Sequence, residues 1–322
     1  MDLTDIIPLF ITDARRKAVG SVVANRAKRS TLLGGLAGSA PAALFSSMGR
    51  QKSGPLLIIA TDLDDAGYIY NDISKILGEK RVLIFPSGFR RSIKYGQADP
   101  ASEILRTEAL RQWHTNKDLQ CVVTYPEALA EKVAEPSVIA DKTLSLNIDQ
   151  SVDLTATIQW LFDNGFNRVD YVYEPGQFAV RGSILDVFGF SNEKPYRLDF
   201  FGDDIESIRT FNIETQLSDE KLTSISVTPH IDDDSADCSL LEFVGEQTVV
   251  MVRDSADTVS RVEEIASTDF SASALVADEG DADSMKRVVD ARHFAKAYES
   301  LHPITFSSAP VNGNADALDF NC

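Results

Sequence analysis

Short apolar segments separated by glycine turns fill residues 173–211, and this pattern restricts that stretch to antiparallel strands. In a strand, successive side chains point to opposite faces, so Tyr196–Phe201 is predicted to have one apolar and one mostly charged face. The apolar face carries Tyr196, Leu198 and Phe200. The opposite face carries Arg197, Asp199 and Phe201. Because the apolar face suits a core, Phe201 is expected to face solvent beside Arg197.

A tight turn at Gly202-Asp203 is predicted to join this strand to a partner strand formed by residues 205–211. A simple two-residue turn would place Asp199 opposite Glu206, and like charges directly opposed are mildly unfavourable. The register of this hairpin therefore stays open at the sequence level.

Another short strand is predicted at Ile184–Phe188, directly after Arg181-Gly182. The glycine is expected to bend the chain and redirect the side chain of Arg181. An exposed aromatic ring beside an arginine is typical of interface anchors, although either residue alone is ordinary surface. Together they favour a protein-binding module over a catalyst.

The composition indicates a globular protein of two or three domains, with 322 residues, 43% hydrophobic and 25% charged. No membrane span and no signal peptide is evident, so we expect a cytoplasmic protein that does not contact a membrane. The net charge of −18 opposes binding to nucleic acid. One basic cluster, Arg26-Lys28-Arg29, is interpreted as solvated charge on a helix.

Three regions are predicted, and the first, residues 18–142, is an α/β domain. It alternates apolar runs with helix-patterned stretches, as expected for a parallel sheet with crossover helices. Strands are predicted at residues 55–60, 81–86 and 119–125. Helices are predicted at residues 64–77 and 100–114.

Residues 143–230 are predicted to form an inserted α+β domain, with a helix at 151–164 followed by an alternating strand through Val169, Tyr171 and Tyr173. Residues 231–322, with 1–17 as a candidate addition, predict a second small α/β domain. Its expected elements are a strand at 248–252, a helix at 256–266 and a strand at 304–306. The last residues interrupt an apolar alternation, which suggests a truncated chain.

Residues 31–48 have the order of a strand, a phosphate-binding loop and a helix. A working loop requires G-x-x-x-x-G-K-[ST], because its amides wrap phosphates, its lysine reaches the outer phosphate oxygens and its hydroxyl holds Mg²⁺. The loop keeps Gly35 and Gly38, but Ala40, Pro41 and Ala42 stand at the glycine, lysine and hydroxyl positions. The loop is therefore predicted to be inactive, and no cofactor is expected.

No other pattern predicts an active site. Two apolar runs end in carboxylates, at residues 57–62 and 274–281, and ordinary strand ends explain both. The histidines are scattered: His114, His230, His293 and His302. Cys121, Cys238 and Cys322 are too far apart to indicate a zinc site, and Cys121 is expected to be buried. No catalytic residue and no metal site is predicted.

The block E-P-G-Q-F-A-V-R-G-S-I-L-D-V-F, followed by P-Y-R-L-D-F-F-G-D-D-I-E-S-I-R, resembles a module shared by bacterial transcription-repair coupling factors and the excision-repair protein UvrB. The likeness covers roughly residues 29–230. UvrB keeps an intact phosphate loop and, shortly after it, a tyrosine-rich hairpin. This chain has Ala40-Pro41-Ala42 in the loop and no such hairpin between Met48 and Leu77, so it is more similar to the coupling factors.

The resemblance implies a fold of degenerate P-loop, helicase-like α/β lobes around the inserted α+β domain. It also implies that the inserted domain binds UvrA. In the family, the contacts come from the arginine of R-G-[SA] and from the arginine and second phenylalanine of P-Y-R-L-D-F-F. At matching positions stand Arg181, Arg197 and Phe201.

Coupling factors also contain regions that bind RNA polymerase and DNA and a translocase motor, and these regions lie beyond the present chain. The resemblance therefore implies a non-catalytic module that recruits UvrA to stalled transcription complexes. Two alternatives stay open: damaged-DNA binding of the UvrB type, and ATP hydrolysis by a helicase fragment with a divergent loop.

Overall fold

The computed structural model describes residues 12–28, 31–88, 100–192, 194–229, 236–269, 288–310 and 317–320. Its strands are, in chain order, β1 (Leu32–Gly34), β2 (Leu56–Ile59), β3 (Val82–Ile84), β4 (Cys121–Thr124), β5 (Lys132–Ala134), β6 (Leu144–Asn147), β7 (Asn167–Arg168), β8 (Gln177–Arg181), β9 (Ile184–Phe188), β10 (Tyr196–Phe201), β11 (Asp204–Phe211), β12 (Ser218–Leu222), β13 (Ser224–Val227), β14 (Ala236–Ser239), β15 (Val250–Val252), β16 (Ile304–Phe306) and β17 (Ala317–Asp319).

The helices are α1 (Asp13–Asn25), α2 (Ala40–Met48), α3 (Leu63–Leu77), α4 (Pro100–Thr115), α5 (Pro126–Leu129), α6 (Pro136–Asp141), α7 (Leu154–Asp163), α8 (Leu240–Val244), α9 (Ser255–Glu264) and α10 (Ala291–Ser300). Some features singled out in the sequence lie outside the described residues: 1–11, Arg29, His230, 274–281 and Asn321-Cys322. Within the described residues, none of the helices combines the length and the apolar composition needed to cross a bilayer.

The chain forms two compact units, of which unit 1 combines residues 1–133 and 236–322 and unit 2 comprises residues 134–235. Unit 1 is built on a seven-stranded sheet of order β17-β1-β16-β15-β2-β4-β3, in which all neighbours are parallel. Strands β2, β4 and β15 are buried along their whole length, as expected for a parallel sheet with both faces covered. The α/β prediction for this part of the chain is confirmed.

Residues 231–322 were predicted to form a separate small domain, but in the structure their described strands belong to unit 1. Strands β15, β16 and β17 come from residues 231–322, but they pair with β1 and β2 inside the sheet of unit 1. Strands of three residues have too few ladder hydrogen bonds to form a stable sheet alone, so they are stabilised by joining an existing one.

Helix α3 shows how the sequence sets an element's ends in unit 1. The side chain of Asp62 accepts a hydrogen bond of 2.9 Å from the Asp65 amide and so caps the first turn. Gly78, with a φ of 86°, ends the helix, because a left-handed residue cannot continue it. Ile69 and Ile73 lie four residues apart on the same side and are buried.

Unit 2 contains a six-stranded sheet of order β12-β11-β10-β9-β8-β7, antiparallel except for the β7–β8 pair. Helix α7, capped by Asp153, packs Leu161 into a core formed with one face of this sheet. The predicted α+β architecture is confirmed, with a helix shorter than predicted because the cap lies at Asp153.

The segment before β8 is a loop, although alternation through Val169, Tyr171 and Tyr173 had predicted a strand. The Gln177 side chain accepts hydrogen bonds from the amides of Tyr173 and Glu174, at 2.9 and 3.2 Å. A side chain thus takes the place of a neighbouring strand for these backbone groups. The two tyrosines are half exposed as a result.

We predict that the Cys121 thiol does not react with a thiol reagent at pH 8 in the native protein and reacts fully in denaturant. Cys121 is buried in β4, and burial raises its pKa to about 12, so almost no thiolate forms at that pH. A Cys238→Ser/Cys322→Ser variant isolates this thiol, and absorbance of the released reagent measures the reaction. Rapid labelling of the native variant would contradict the burial.

Candidate protein-binding surface

Strand β10 separates its side chains between two environments, as the alternation predicted. Leu198 and Phe200 are buried in the core of unit 2, whereas Phe201 is 79% exposed. The turn at Gly202-Asp203 joins β10 to β11, and Phe201 pairs with Asp204. Gly202 has a φ of 65°, a conformation that residues with a β-carbon adopt at a cost. The predicted turn is confirmed, and it ends the strand directly after the exposed ring.

A bulge in β11 changes the register that a simple turn would give. Phe200 pairs with Ile205, but Asp199 pairs with Ser207, so Glu206 is an extra residue. The opposed acidic pair expected from a regular hairpin is therefore not formed. The bulge also has a packing cause, because Ile205 and Ile208 are both buried in the same core. Residues three apart share a face of a strand only when an extra residue lies between them.

The carboxylate of Asp186, in the middle of β9, binds both predicted arginines. Asp186 is 0% exposed and lies opposite Arg197 in the sheet. Arg197 donates from Nε to Oδ1 at 2.7 Å and from Nη2 to Oδ2 at 2.9 Å, a two-bond geometry. Arg181, from β8 on the other side of β9, donates from Nη2 to Asp186 Oδ2. One buried carboxylate thus holds two guanidinium groups from neighbouring strands.

Further contacts fix each guanidinium in position. Arg197 Nη1 donates to the Gln216 carbonyl at 3.0 Å, and its guanidinium lies over the Phe211 ring. Arg181 Nη1 donates to the Asp170 carbonyl at 2.9 Å, and its guanidinium lies 5.2 Å from the centre of the Tyr171 ring. The hydrogen bond to Asp186 raises the pKa of Arg197 above its ordinary value. Both side chains are therefore held in one conformation before any partner binds.

The structure brings all three predicted residues to the face of the unit 2 sheet opposite the core that contains Leu198 and Phe200, and a smaller buried cluster that includes Phe188 and Phe211 lies on the same face. Phe201 follows Arg197 by four positions along β10, which puts both on that face. The Arg181 and Arg197 side chains are 35% and 18% exposed, so they are less accessible than the alternation suggested. We call the surface formed by Arg181, Asp186, Arg197 and Phe201 the arginine face.

Sequence reasoning missed Asp186. A signal was present, because a carboxylate within the apolar strand Ile184–Phe188 needs a buried partner. The arginines on both flanking strands could have supplied that partner. The exposed side chain of Leu217 was also missed, since it lies in a turn where no periodicity applies.

The segment predicted to be a degenerate phosphate loop follows β1, and several of its amides donate to carbonyls of the chain itself. The amide of Gly35 donates to the Ala309 carbonyl and that of Leu36 to the Ser307 carbonyl, both at 2.9 Å. The amide of Ala40 donates to Ala37 at 3.1 Å. Gly35 and Gly38 both have positive φ, of 74° and 55°, as a tight loop requires.

The positions that carry charge in a working loop are apolar here. Pro41 and Ala42 are buried in the first turn of α2. Proline has no amide hydrogen and no charge to offer a phosphate. The segment after β1 thus lacks the lysine and the hydroxyl with which a working loop binds a nucleotide.

The carboxylates at the nearby strand end have structural roles. Asp62 caps α3, and Asp65 forms two hydrogen bonds with Arg253, at 2.8 and 2.9 Å. Across the described residues, no group of three or more histidine, cysteine or acidic side chains is arranged to hold a metal ion. Nε2 of His293 lies 2.6 Å from Oε1 of Glu242. The ring of His114 packs against the ring of Phe243.

Replacing Asp186 by Asn is expected to lower the free energy of unfolding of unit 2 by about 2 kcal/mol, since hydrogen bonds to charged groups contribute roughly 1.5–3 kcal/mol. Unfolding in urea is followed by the fluorescence of Trp160, which lies in unit 2, after Trp113→Phe removes the other of the chain's two tryptophans. The control is Asp199→Asn, which removes the charge of a carboxylate that accepts one 3.3 Å hydrogen bond from Ser183 Oγ. Equal losses in the two variants would contradict a special role for Asp186.

Residues 144–232 match the family described as the UvrB interaction domain. The chain is 28% identical over 201 residues to the transcription-repair-coupling factor of Bacillus subtilis (strain 168), covering 62% of this chain and 17% of that protein. It is 28% identical over 205 residues to the same factor of Escherichia coli (strain K12), and the match covers 63% of this chain and 18% of that protein. It is 29% identical over 229 residues to the Myxococcus xanthus protein, and the match covers 68% of this chain and 19% of that protein.

The aligned part of the chain thus corresponds to less than a fifth of the length of each of these relatives. The arginine face lies wholly within the matched residues 144–232. The chain is therefore a relative of the N-terminal region of transcription-repair-coupling factors, and it contains a UvrB interaction domain.

Proposed function

We propose that this chain is a docking module for DNA repair that binds UvrA through the arginine face. The observation that carries the proposal is the exposed Phe201 ring on the same sheet face as two ordered guanidinium groups, within a UvrB interaction domain. Aromatic side chains and arginine are the residues most enriched among energetically important interface positions.

The fixed conformation of the two arginine side chains favours binding. Immobilising a long side chain at an interface costs about 0.5–1.5 kcal/mol, and Asp186 has already imposed that order in the free chain. Each guanidinium has five N–H donors, so both keep donors beyond the contacts with Asp186. Carboxylates of UvrA would accept these hydrogen bonds, and Phe201 would fill an apolar pocket.

The proposal includes the recruitment of UvrA and a module that does not hydrolyse ATP. By analogy with the longer coupling factors, the docking module brings UvrA to stalled transcription complexes in the cytoplasm. RNA polymerase and DNA would be bound by regions beyond this chain. The engaged amides of Gly35 and Leu36, together with Pro41, support a module without ATP chemistry.

The substitution Phe201→Ala is expected to weaken UvrA binding about 30-fold, equivalent to about 2 kcal/mol, because a central aromatic anchor is lost. Stability should change by less than about 0.5 kcal/mol, since the ring is 79% exposed. Calorimetric titration with purified UvrA measures the affinity. The matched control is Tyr68→Ala, which removes a ring that is 74% exposed in unit 1. Binding as tight as that of the parent chain would refute the assignment of Phe201.

We expect no saturable binding of Mg-ATP to the chain, because the loop lacks a lysine and the amides of Gly35 and Leu36 donate to the chain itself. Isothermal titration with a sample shown to bind UvrA checks this expectation. A saturable heat of Mg-ATP binding that is lost when a bulky residue replaces Gly38 would instead support the enzyme alternative.

A further inference from the structure

Cationic side chains continue across the unit 2 sheet beyond the arginine face. Arg197 on β10 lies directly opposite Arg209 on β11, and Arg209 lies directly opposite Lys221 on β12. Directly opposed residues of neighbouring strands share a face. We call Arg197, Arg209 and Lys221 the cationic row.

The neighbouring register confirms which face the row occupies. Leu198 lies opposite Ile208, which in turn lies opposite Leu222, and all three pack in the core cluster. The residues next to them along each strand therefore point away from that core. Lys221 is exposed and Arg209 is partly exposed, so these two side chains reach solvent at the end of the row.

The free chain does not balance the charge of this row. Asp186 neutralises Arg197, but within the described residues neither Arg209 nor Lys221 forms an ion pair. The nearby Asp219 is paired with Lys194 at 2.7 Å. Nε of Arg209 is shielded from solvent and has no acceptor in the described part of the chain. Like charges directly opposed on a sheet are destabilising, so an isolated domain gains nothing from this arrangement.

We propose that the cationic row binds an acidic segment of the same partner protein that covers Phe201, which extends the interface across β11 and β12. The row is continuous with the arginine face through Arg197. Neighbouring strands lie about 5 Å apart, so the segment would present carboxylates at about that spacing. This inference rests on the proposed function.

Charge complementarity favours an acidic protein over nucleic acid. The chain carries a net charge of −18, which repels the dense phosphates of a duplex, and the row is only three residues long. A local positive row on a negative protein steers an acidic patch to one place and orients it there.

The test is neutralisation of the two new residues in the full chain, Arg209→Gln/Lys221→Gln, with Lys75→Gln/Lys80→Gln in unit 1 as the control. Binding to purified UvrA is measured at low and at high salt. We expect about tenfold weaker binding at low salt, mainly through slower association, and a smaller effect at high salt. The control should bind like the parent chain. The thermal midpoint should stay unchanged or rise, because opposed like charges are removed.

Comparison with Phe201→Ala distinguishes this inference from the proposed function. If Phe201→Ala weakens UvrA binding while the double variant binds like the parent chain at both salt concentrations, the cationic row is overturned and the docking function stands. If neither Phe201→Ala nor the double variant weakens UvrA binding, both proposals are overturned. Retardation of a DNA duplex by the parent chain, lost in the double variant, would assign the row to nucleic acid and overturn the protein partner.

Discussion

The buried carboxylate of Asp186 is the group on which the binding surface depends. An unpaired charge removed from water costs several kcal/mol, so a 0% exposed carboxylate requires partners of opposite charge with good geometry. Arg197 supplies two parallel hydrogen bonds and Arg181 a third. The same bonds hold both guanidinium groups in place. The neutralisation of the Asp186 carboxylate and the order of the arginine face thus arise from the same contacts.

Unit 1 depends instead on apolar packing. Its parallel sheet is followed after β1 by a glycine-containing turn, and apolar residues stand at the positions that carry the lysine and the hydroxyl in a working phosphate loop. Packing around the loop, with Leu36 and Ala42 buried, requires no ligand. The core of unit 1 is thus formed by the chain's own apolar side chains.

Local patterns predicted much of unit 2 correctly. Alternation placed Phe201 on the surface, and Gly202 identified the turn, since both depend only on neighbouring residues. The bulge at Glu206 was not predictable in that way. It arises because Ile205 and Ile208 compete for one core, which is a property of the packed sheet. The same holds for residues 231–322, whose short strands are stabilised only by pairing with distant segments.

The sequence by itself determined the types and approximate ends of the main helices and strands, the absence of a lysine from the predicted phosphate loop and the face of β10 that points away from the core. These features follow from side-chain chemistry and from periodicity along a few residues. Tertiary structure alone decided that Arg181 and Arg197 share Asp186, and that Arg209 and Lys221 continue the same row. Strand order and register bring these residues together, and both are set by the packing of the whole sheet, because no single strand contains the information about its neighbours.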